Sequence, residues 1–244
     1  EIVNRYVRGN IHLTKVDSEY PDNKLTGATF EVYKDSNATG NLDDGDELLG
    51  TLTEKEIGEY SMNDLFYGRY FVKETKAPEG FVLDTGVYEV MIDTNGKTYK
   101  VENKAGVGFV NDAMRGNLKI IKTSSDGKVK GFAFRITGAN GYDIILETND
   151  KGEIFIDGLR IGDYTISEVS NSASSMYVIP ADKKATVKIG STTIVEMHNV
   201  LRDTPKTGDT TNLPLLYALA GLSAVGIAVC GVIGFKKKKK EDRN

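Results

Sequence analysis

The sequence contains very little cysteine and histidine. Cys230 is the only cysteine among the 244 residues, so the chain cannot form an intramolecular disulfide. The two histidines, His12 and His198, align with no serine or cysteine partner, and we find no hydrolase motif and no glycine-rich phosphate loop. A formal net charge of −4 without a basic patch argues against nucleic-acid binding. The composition favours a protein that is not an enzyme and whose stability does not come from disulfides.

The two ends of the chain differ in kind. The first residue is Glu1 rather than Met, and no signal peptide is present. Near the other end, the apolar run Leu213–Phe235 carries no charge and is followed by five lysines, Lys236–Lys240. A run of about 20 apolar residues is long enough to cross a bilayer as a helix, and lysines behind it favour a cytoplasmic tail, residues 236–244. We therefore expect an exported protein, and this chain to be the C-terminal piece of a longer polypeptide.

A short motif precedes the apolar run. Thr204-Pro205-Lys206-Thr207-Gly208 lies in residues 203–212 and, with the apolar run and the lysines, resembles the LPXTG sorting signal of Gram-positive surface proteins. The resemblance implies that a sortase cleaves between Thr207 and Gly208 and joins Thr207 to a peptidoglycan precursor of the cell wall. Thr204 stands where leucine is usual, which leaves the class of sortase open. The alternative is a plain C-terminal membrane anchor.

The exported part of the sequence repeats itself. Four segments of the first copy align with the second: Gly9–Lys15 with Gly116–Lys122, Gly27–Val32 with Gly131–Ile136, Leu65–Glu74 with Leu159–Glu168, and Phe109–Asn111 with Met197–Asn199. We therefore predict two domains, residues 9–114 and 115–202. The segment Ile2–Asn10 aligns in turn with Phe109–Asn117, so residues 1–8 are predicted to be the last strand of a preceding domain.

The secondary structure is predicted to be almost entirely β. Short β-rich segments are separated by turn signals such as Asn95-Gly96. The predicted strands include Ile11–Val16, Phe30–Lys34, Tyr70–Glu74, Val87–Ile92, Thr98–Val101, Leu118–Lys122 and Thr186–Ile189. Many short strands with such punctuation indicate β-sandwiches. The predicted fold class is all-β, with two tandem sandwiches that abut end to end, and a C-terminal transmembrane helix over residues 213–235.

Each repeat places three polar residues on the predicted buried side of its strands. Side chains alternate between the two faces of a strand. Lys15 therefore continues the apolar row of Ile11 and Leu13, and Glu74 and Asn111 likewise share faces with apolar neighbours. The second repeat has the same pattern at Lys122, Glu168 and Asn199. Because unpaired burial of such groups costs several kcal/mol each, we expect the three side chains of each repeat to meet.

These three residue types in a buried site favour a specific reaction. Burial lowers the pKa of a lysine and raises that of a glutamic acid, so a neutral amine would be a nucleophile and a protonated acid would polarise the asparagine carboxamide. Attack on the side-chain carbonyl releases ammonia and leaves a Lys–Asn isopeptide bond. Proximity supplies roughly 7 to 11 kcal/mol towards such a barrier, so a single turnover without an enzyme is feasible.

At these residues the sequence resembles the Cna B-type (prealbumin-like) domains of Gram-positive pilins and adhesins. Tyr70–Phe81 resembles the family segment YxLxExxAPxGY, whereas Tyr164–Glu168 keeps only its first half. The resemblance implies Greek-key, reverse immunoglobulin-like sandwiches in which a first-strand lysine is joined to a last-strand asparagine. It pairs Lys15 with Asn111 under Glu74, and Lys122 with Asn199 under Glu168. Asn4 would be joined to a lysine of the preceding domain.

Two alternatives to the cross-links and several functions stay open. Each triplet could be a buried ion pair with a hydrogen-bonded asparagine, or Lys15 and Lys122 could extend to water. The polar residues from Asp35 to Asp46 are spaced as in a calcium-binding loop. We favour a solvated loop and expect no metal or cofactor. The function favoured is the C-terminal stalk of a wall-anchored adhesin, whose host ligand would bind missing N-terminal domains. A minor or basal pilin subunit and the wall anchor of an upstream enzyme are the alternatives.

Overall fold

A computed structural model describes residues 6–203 of the chain. Within this part the regular structure is β-strand, apart from one short 3-10 turn at Ala139–Gly141. The described residues up to Leu201 belong to one compact unit. The predicted sorting motif, the predicted membrane helix over 213–235, the basic tail and Asn4 lie outside the described residues. Among the residues that are described, no helix is long and apolar enough to span a membrane.

The first domain is built from two sheets in which most neighbouring strands are antiparallel. Its strands within the described part are β1 Arg8–Asp17, β2 Thr29–Lys34, β3 Glu47–Thr51, β4 Thr53–Glu56, β5 Glu59–Phe66, β6 Gly68–Lys76, β7 Val87–Ile92, β8 Thr98–Lys100 and β9 Phe109–Asn111. One sheet has the order β4-β5-β1-β8, with β9 also paired to β1, and the other has the order β3-β2-β6-β7. This is the all-β sandwich that the alternating pattern predicts.

The second domain repeats this arrangement with eight strands in the described part. They are β10 Arg115–Ser124, β11 Ala133–Thr137, β12 Asp143–Glu147, β13 Glu153–Arg160, β14 Gly162–Val169, β15 Tyr177–Val178, β16 Lys183–Val187 and β17 Thr192–Leu201. The two sheets have the orders β13-β10-β17-β15 and β12-β11-β14-β16. The strand predicted at Thr186–Ile189 ends at Val187, because Gly190 adopts a positive φ in the turn that follows.

The first and last strands of each domain lie side by side. They pair in parallel, with Lys15 opposite Phe109 in the first domain and Lys122 opposite Met197 in the second. In both, the asparagine comes two residues after the residue opposite the lysine, and therefore points to the same face. The last strand is continuous in the second domain, whereas in the first it is interrupted between Lys100 and Phe109. The strand pairing, conserved between the two repeats, thus brings lysine and asparagine together.

A hydrophobic core fills the space between the sheets of each sandwich. In the first domain it includes Ile11, Leu13, Phe30 and Phe109, all with almost no exposed surface. At about 25 cal/mol per Å² of buried apolar surface, these side chains supply most of the driving force for folding. Lys15 lies at the end of the apolar row on β1, so its amine enters an environment poor in water.

Candidate functional site: two buried triplets

The first triplet combines three strands from both sheets of the first domain. Lys15 lies on β1, Glu74 on β6 and Asn111 on β9. The exposed fractions of the three residues are 0%, 0% and 3%. Buried charged and polar side chains of this kind are uncommon unless they are paired. The structure therefore brings together, inside the sandwich, the three residues that strand alternation places on its buried faces.

The Lys15 amine is held by carbonyl groups and lies beside an aromatic ring. Nζ donates to the carbonyl oxygens of Phe109 at 3.0 Å and Val16 at 3.3 Å, and it lies 5.7 Å from the centre of the Phe109 ring. Burial lowers the pKa of Lys15 to about 8, although the negative charges of Glu74, Asp17 and Asp84 oppose this effect. An appreciable fraction of this amine is therefore neutral near physiological pH, which is the form that acts as a nucleophile.

The Glu74 carboxyl group accepts two hydrogen bonds on one oxygen. Oε2 accepts from Asn111 Nδ2 at 2.7 Å and from the backbone N–H of Asp84 at 2.8 Å. Its other oxygen, Oε1, has no hydrogen-bond partner among the described residues. Burial raises the pKa of Glu74 against the opposing effect of these two hydrogen bonds and of Lys15. The group is thereby prepared to hold a proton that it can deliver to a neighbour.

The Asn111 carboxamide is fixed in orientation by two acceptors. Nδ2 donates to Glu74 and, at 2.5 Å, to the carbonyl oxygen of Val82, whereas Oδ1 has no hydrogen-bond partner within residues 6–203. Because the carbonyl oxygen of Val82 can only accept a hydrogen bond, the NH₂ group of Asn111 and not its Oδ1 must point towards it. A cleft of about 180 Å³ lined by Val82, Asp84, Asn103 and Asn111 lies next to this group. It offers a small leaving molecule a route to solvent.

The second triplet has the same layout with fewer contacts. Lys122, Glu168 and Asn199 have exposed fractions of 1%, 8% and 0%. Asn199 Nδ2 donates to Glu168 Oε1 at 2.6 Å, and the Lys122 amine donates to the carbonyl of Thr123 and lies 4.1 Å from the centre of the Phe132 ring. Burial lowers the pKa of Lys122 and raises that of Glu168. The same chemistry is therefore available in both domains.

The difference between the triplets traces to the segment that follows the glutamate. In the first domain, Ala77-Pro78-Glu79-Gly80 turns the chain so that Val82 and Asp84 reach the triplet. The second domain lacks this sequence, and in the described structure Glu168 Oε2 and Asn199 Oδ1 have no hydrogen-bond partner. The first triplet is the more tightly positioned of the two.

Sequence reasoning missed two glycines that support the lysines. The carbonyl oxygens of Gly58 and Gly152 accept hydrogen bonds from the backbone N–H groups of Lys15 at 2.7 Å and Lys122 at 2.8 Å. Both glycines have positive φ, and a Cβ there would lie 2.9 and 2.7 Å from the carbonyl oxygens of the same lysines. The signal was available, because Gly58-Glu59-Tyr60 and Gly152-Glu153-Ile154 precede equivalent strands in the two repeats.

The remaining candidates lie apart from the triplets. His12 Nε2 pairs with Glu59 at 2.8 Å, and His198 Nδ1 shares a hydrogen bond with Thr123 at 2.8 Å, both on outward-facing positions. In the calcium-like loop, Asp43 accepts hydrogen bonds from the loop's own Asn37, Thr39 and Gly45. Within residues 6–203 there is no group of three or more histidine, cysteine or acidic side chains arranged to hold a metal ion.

Comparisons with known proteins agree with this architecture. The sequence model of the SpaA prealbumin-like fold domain matches residues 9–105 and 116–201. The chain is 27% identical to the trypsin-resistant surface T6 protein of Streptococcus pyogenes over 176 residues, which cover 70% of this chain and 29% of that protein. The TIE protein of Bacillus anthracis has a similar structure, with a TM-score of 0.59 and 25% identity, covering 79% of this chain and 34% of that one.

A further solved structure belongs to GBS52, a minor pilin of Streptococcus agalactiae, with a TM-score of 0.38 and 19% identity, covering 82% of this chain and 99% of that one. The chain spans about a third of the T6 and TIE proteins. The family model covers most of the described residues, in two copies that coincide with the two sandwiches. The chain therefore belongs to the family of the SpaA prealbumin-like fold domain.

Proposed function

We propose that this chain is the C-terminal stalk of a surface protein of a Gram-positive bacterium, stiffened by one Lys–Asn isopeptide bond in each sandwich. The observation that carries the proposal is the buried triplet of Lys15, Glu74 and Asn111, which recurs as Lys122, Glu168 and Asn199. A core that needs only packing would bury apolar side chains at these positions, since burying three polar groups is costly. Their recurrence supports a shared chemical purpose.

The proposed reaction balances without a cofactor. The lone pair of neutral Lys15 Nζ attacks Asn111 Cγ, the C–N bond to Nδ2 breaks, and the carbonyl re-forms as a secondary amide. Nδ2 already donates to Glu74, so the protonated acid is placed to protonate the departing nitrogen, which leaves as ammonia. Glu74 then recovers a proton from the attacking nitrogen and is not consumed. Lys122, Glu168 and Asn199 would react in the same way.

The reactive state needs a neutral lysine and a protonated glutamic acid at once. It carries one proton fewer than the fully protonated pair, so its population is greatest between the pKa values of the two groups. At pH values below the pKa of Glu74 the lysine is fully protonated. At pH values above the pKa of Lys15 the pair has lost both protons, including that of Glu74. For the first domain the upper limit lies at about 8, the pKa of Lys15.

The proposed bonds would act on stability and on resistance to force. A link from Lys15 to Asn111 joins the first strand of the domain to the last. In the chain-entropy model, closing a loop of about 100 residues stabilises a fold by roughly 4.7 kcal/mol. Tension applied at the two ends of the domain would pass through this amide, so the sandwich between them would not extend. This suits a stalk anchored to a cell wall, and an amide resists reduction, unlike a disulfide.

Attachment and the preceding domain are further parts of the proposal. Thr204–Gly208 would be the sortase motif, with Thr207 joined to the wall. The alignment of residues 1–8 with the end of the first domain supports a preceding sandwich linked through Asn4. Tyr67 donates its N–H to Val7 at 3.0 Å, as Ile161 donates to Met114 at 3.0 Å at the start of the second domain. Peptide mapping of a longer natural chain would find Asn4 joined to an upstream lysine; an unmodified Asn4 there would contradict this part.

A minor or basal pilin subunit is the second candidate function, and the wall anchor of an upstream enzyme is the third. No segment of residues 1–244 resembles the pilin motif whose lysine accepts the next subunit, which disfavours a polymerised backbone pilin relative to the stalk of an adhesin. A host ligand would bind domains upstream of this chain. Immunoblots of wall extracts separate the first two: a ladder of sortase-dependent polymers would indicate a pilus subunit, and a single band would indicate the stalk. An upstream catalytic domain would support the anchor.

The decisive test is the mass of the folded protein. The fragment 1–203 should be lighter than its sequence mass by two ammonia molecules, and Asn111→Ala and Asn199→Ala should each restore one. Peptide mapping should find Lys15 joined to Asn111 and Lys122 to Asn199. A mass equal to that of the sequence, in protein shown to be folded, would refute the cross-links while leaving the family assignment in place.

A further inference from the structure

The junction between the two sandwiches contains a buried charge pair. Arg160, at the end of β13, donates to Asp17, at the end of β1, through two parallel hydrogen bonds of 2.6 and 2.7 Å. Asp17 is 2% exposed. Arg160 also donates to Glu19 at 2.7 and 2.9 Å, and its guanidinium lies 4.8 Å from the centre of the Tyr20 ring. A bidentate, shielded pair of this kind fixes geometry as well as charge.

This pair is specific to the junction and is not a general feature of the repeat. Asp17 follows Lys15 by two residues, and the equivalent position after Lys122 is Ser124. Arg160 lies opposite Arg115, and the equivalent residue opposite Arg8 is Phe66. The first domain therefore has the acid and the second has the arginine, and neither residue recurs at the equivalent position of the other repeat.

Asp17 also borders the first triplet. It lies on the same face of β1 as Lys15 and directly opposite Asn111 in the pairing of β1 with β9. The next residue, Ser18, donates its N–H to the carbonyl oxygen of Asn111 at 3.1 Å. The end of β1 thus contacts the second domain through Asp17 and holds the backbone of Asn111.

We propose that Arg160 is a positioning residue for bond formation in the first domain, so that docking of the second domain promotes the Lys15–Asn111 cross-link. This inference rests on the proposed function. The positive charge of Arg160 weakens the effect of the Asp17 carboxylate, which favours the charged, unreactive form of the Lys15 amine. It also holds the end of β1 in register with Asn111. The bond would then form late, after both sandwiches are folded and stacked, and not in a first domain that is still alone.

The charged groups around the reacting pair define the electrostatic part of the inference. Burial lowers the pKa of Lys15, and the negative charges of Glu74, Asp17 and Asp84 raise it. Burial raises the pKa of Glu74, the charge of Lys15 lowers it and that of Asp84 raises it, and Asp17 is not among these main influences. Loss of compensation at Asp17 would therefore act on the lysine more than on the glutamic acid. The neutral-amine, protonated-acid state becomes less populated, and its upper pH limit moves upward.

The experiment measures bond formation during refolding of the full chain. Protein recovered unfolded from inclusion bodies is diluted into buffer with a mild detergent, samples are quenched in acid, and peptide mapping follows each cross-link separately. Arg160→Gln should slow the Lys15–Asn111 bond by about three- to tenfold and shift the upper limb of its pH profile to higher pH. The Lys122–Asn199 bond in the same molecules should form at the wild-type rate and serves as the internal control.

A second variant separates charge from folding. Asp17→Asn combined with Arg160→Gln removes both charges and leaves two amides that can hydrogen-bond, so it should regain most of the wild-type rate and pH profile. An unchanged rate in Arg160→Gln, equal slowing of both bonds, or a double variant as slow as the single one would each overturn the inference. Failure of the wild-type chain to form either bond would refute the proposed function itself, and this inference with it.

Discussion

Asn111 presents its NH₂ group, the group that would leave as ammonia, to the carboxyl oxygen of Glu74 at 2.7 Å. Asn199 and Glu168 stand in the same relationship at 2.6 Å in the second domain. In each pair the acid lies on the leaving-group side of the carboxamide, which is where general acid catalysis of amide cleavage needs it. The side-chain oxygens Oδ1 of both asparagines are left without a hydrogen-bond partner among the described residues.

Removal of the acidic proton should abolish the first cross-link and leave the fold intact. Glu74→Gln keeps an oxygen that accepts from Asn111 and from the Asp84 N–H, but it cannot deliver a proton. The variant should therefore retain the mass of one ammonia and still show the Lys122–Asn199 bond by peptide mapping. Formation of the Lys15–Asn111 bond at the normal rate in Glu74→Gln would show that the acid plays no chemical part.

Loss of the cross-link should lower thermal stability more than loss of a surface lysine. Lys15→Met keeps an unbranched side chain of similar length, which suits the apolar surroundings of the site. Absence of the bond should cost about 4 kcal/mol, which corresponds to a fall in Tm on the order of 20 °C for a domain of this size. Lys100→Met, at an exposed position on β8, is the matched control. Calorimetry in which the two variants melt together would contradict a stabilising bond.

The rate of the first cross-link should have a bounded pH dependence. Burial lowers the pKa of Lys15 to about 8 and raises that of Glu74. The reactive state is maximal between these pKa values, so the rate should fall as the pH rises above about 8, because above the pKa of Lys15 the pair has lost both of its protons. It should fall again at pH values below the pKa of Glu74. Refolding and peptide mapping across pH 4 to 10 measures this, and a rate that still rises above pH 9 would exclude Glu74 as the acid.

A methyl group at Gly58 should disturb the lysine that Gly58 supports. Gly58→Ala adds a Cβ 2.9 Å from the Lys15 carbonyl oxygen at a positive φ of 72°. Strain of this kind costs roughly 1–3 kcal/mol, so the variant should melt earlier and form the Lys15–Asn111 bond more slowly. Gly96→Ala has nearly the same φ, 76°, but its Cβ meets nothing within 4 Å, so it reports the backbone cost alone. Equal effects of both variants would remove the special role of Gly58.

The tail should be removed when the protein is attached to the wall. After muramidase digestion, Thr207 should be the last protein residue on wall fragments, and peptides from Gly208 onward should be missing. Thr207→Ala should release the protein from this linkage and leave the sandwiches unaffected. Wall-released material that retains residues 213–240 would instead indicate a plain membrane anchor.

The alternation of side chains and the internal repeat together made most of the fold and both triplets predictable. Alternation on single strands suffices to assign Lys15, Glu74 and Asn111 to the buried side, because the side chains of a strand point to opposite faces in turn. The second copy supports the same assignment independently at Lys122. Strand ends were harder to predict, as at Thr186–Ile189, since a turn glycine and not the apolar pattern decides where the strand stops.

The backbone contacts that complete the first triplet were not predictable from the pattern. The carbonyl of Val82 and the N–H of Asp84 reach the triplet only because a turn brings the chain back over β9. Backbone groups are present at every residue, so the sequence does not mark which of them will serve. Gly58 and Gly152 were visible as glycines, but their contact with the lysines depends on how β5 and β13 pair with the first strands.

The sequence by itself determined which residues form the two buried triplets and on which face of each strand they lie, because these follow from residue type and a period of two. Only the tertiary structure decided which backbone groups complete the sites and which side chains join the two domains. Asp17 and Arg160 lie 143 positions apart, in different repeats, and each has an ordinary polar identity on its own strand. They meet because two independently patterned sandwiches stack end against end, and that packing is a property of the folded surfaces.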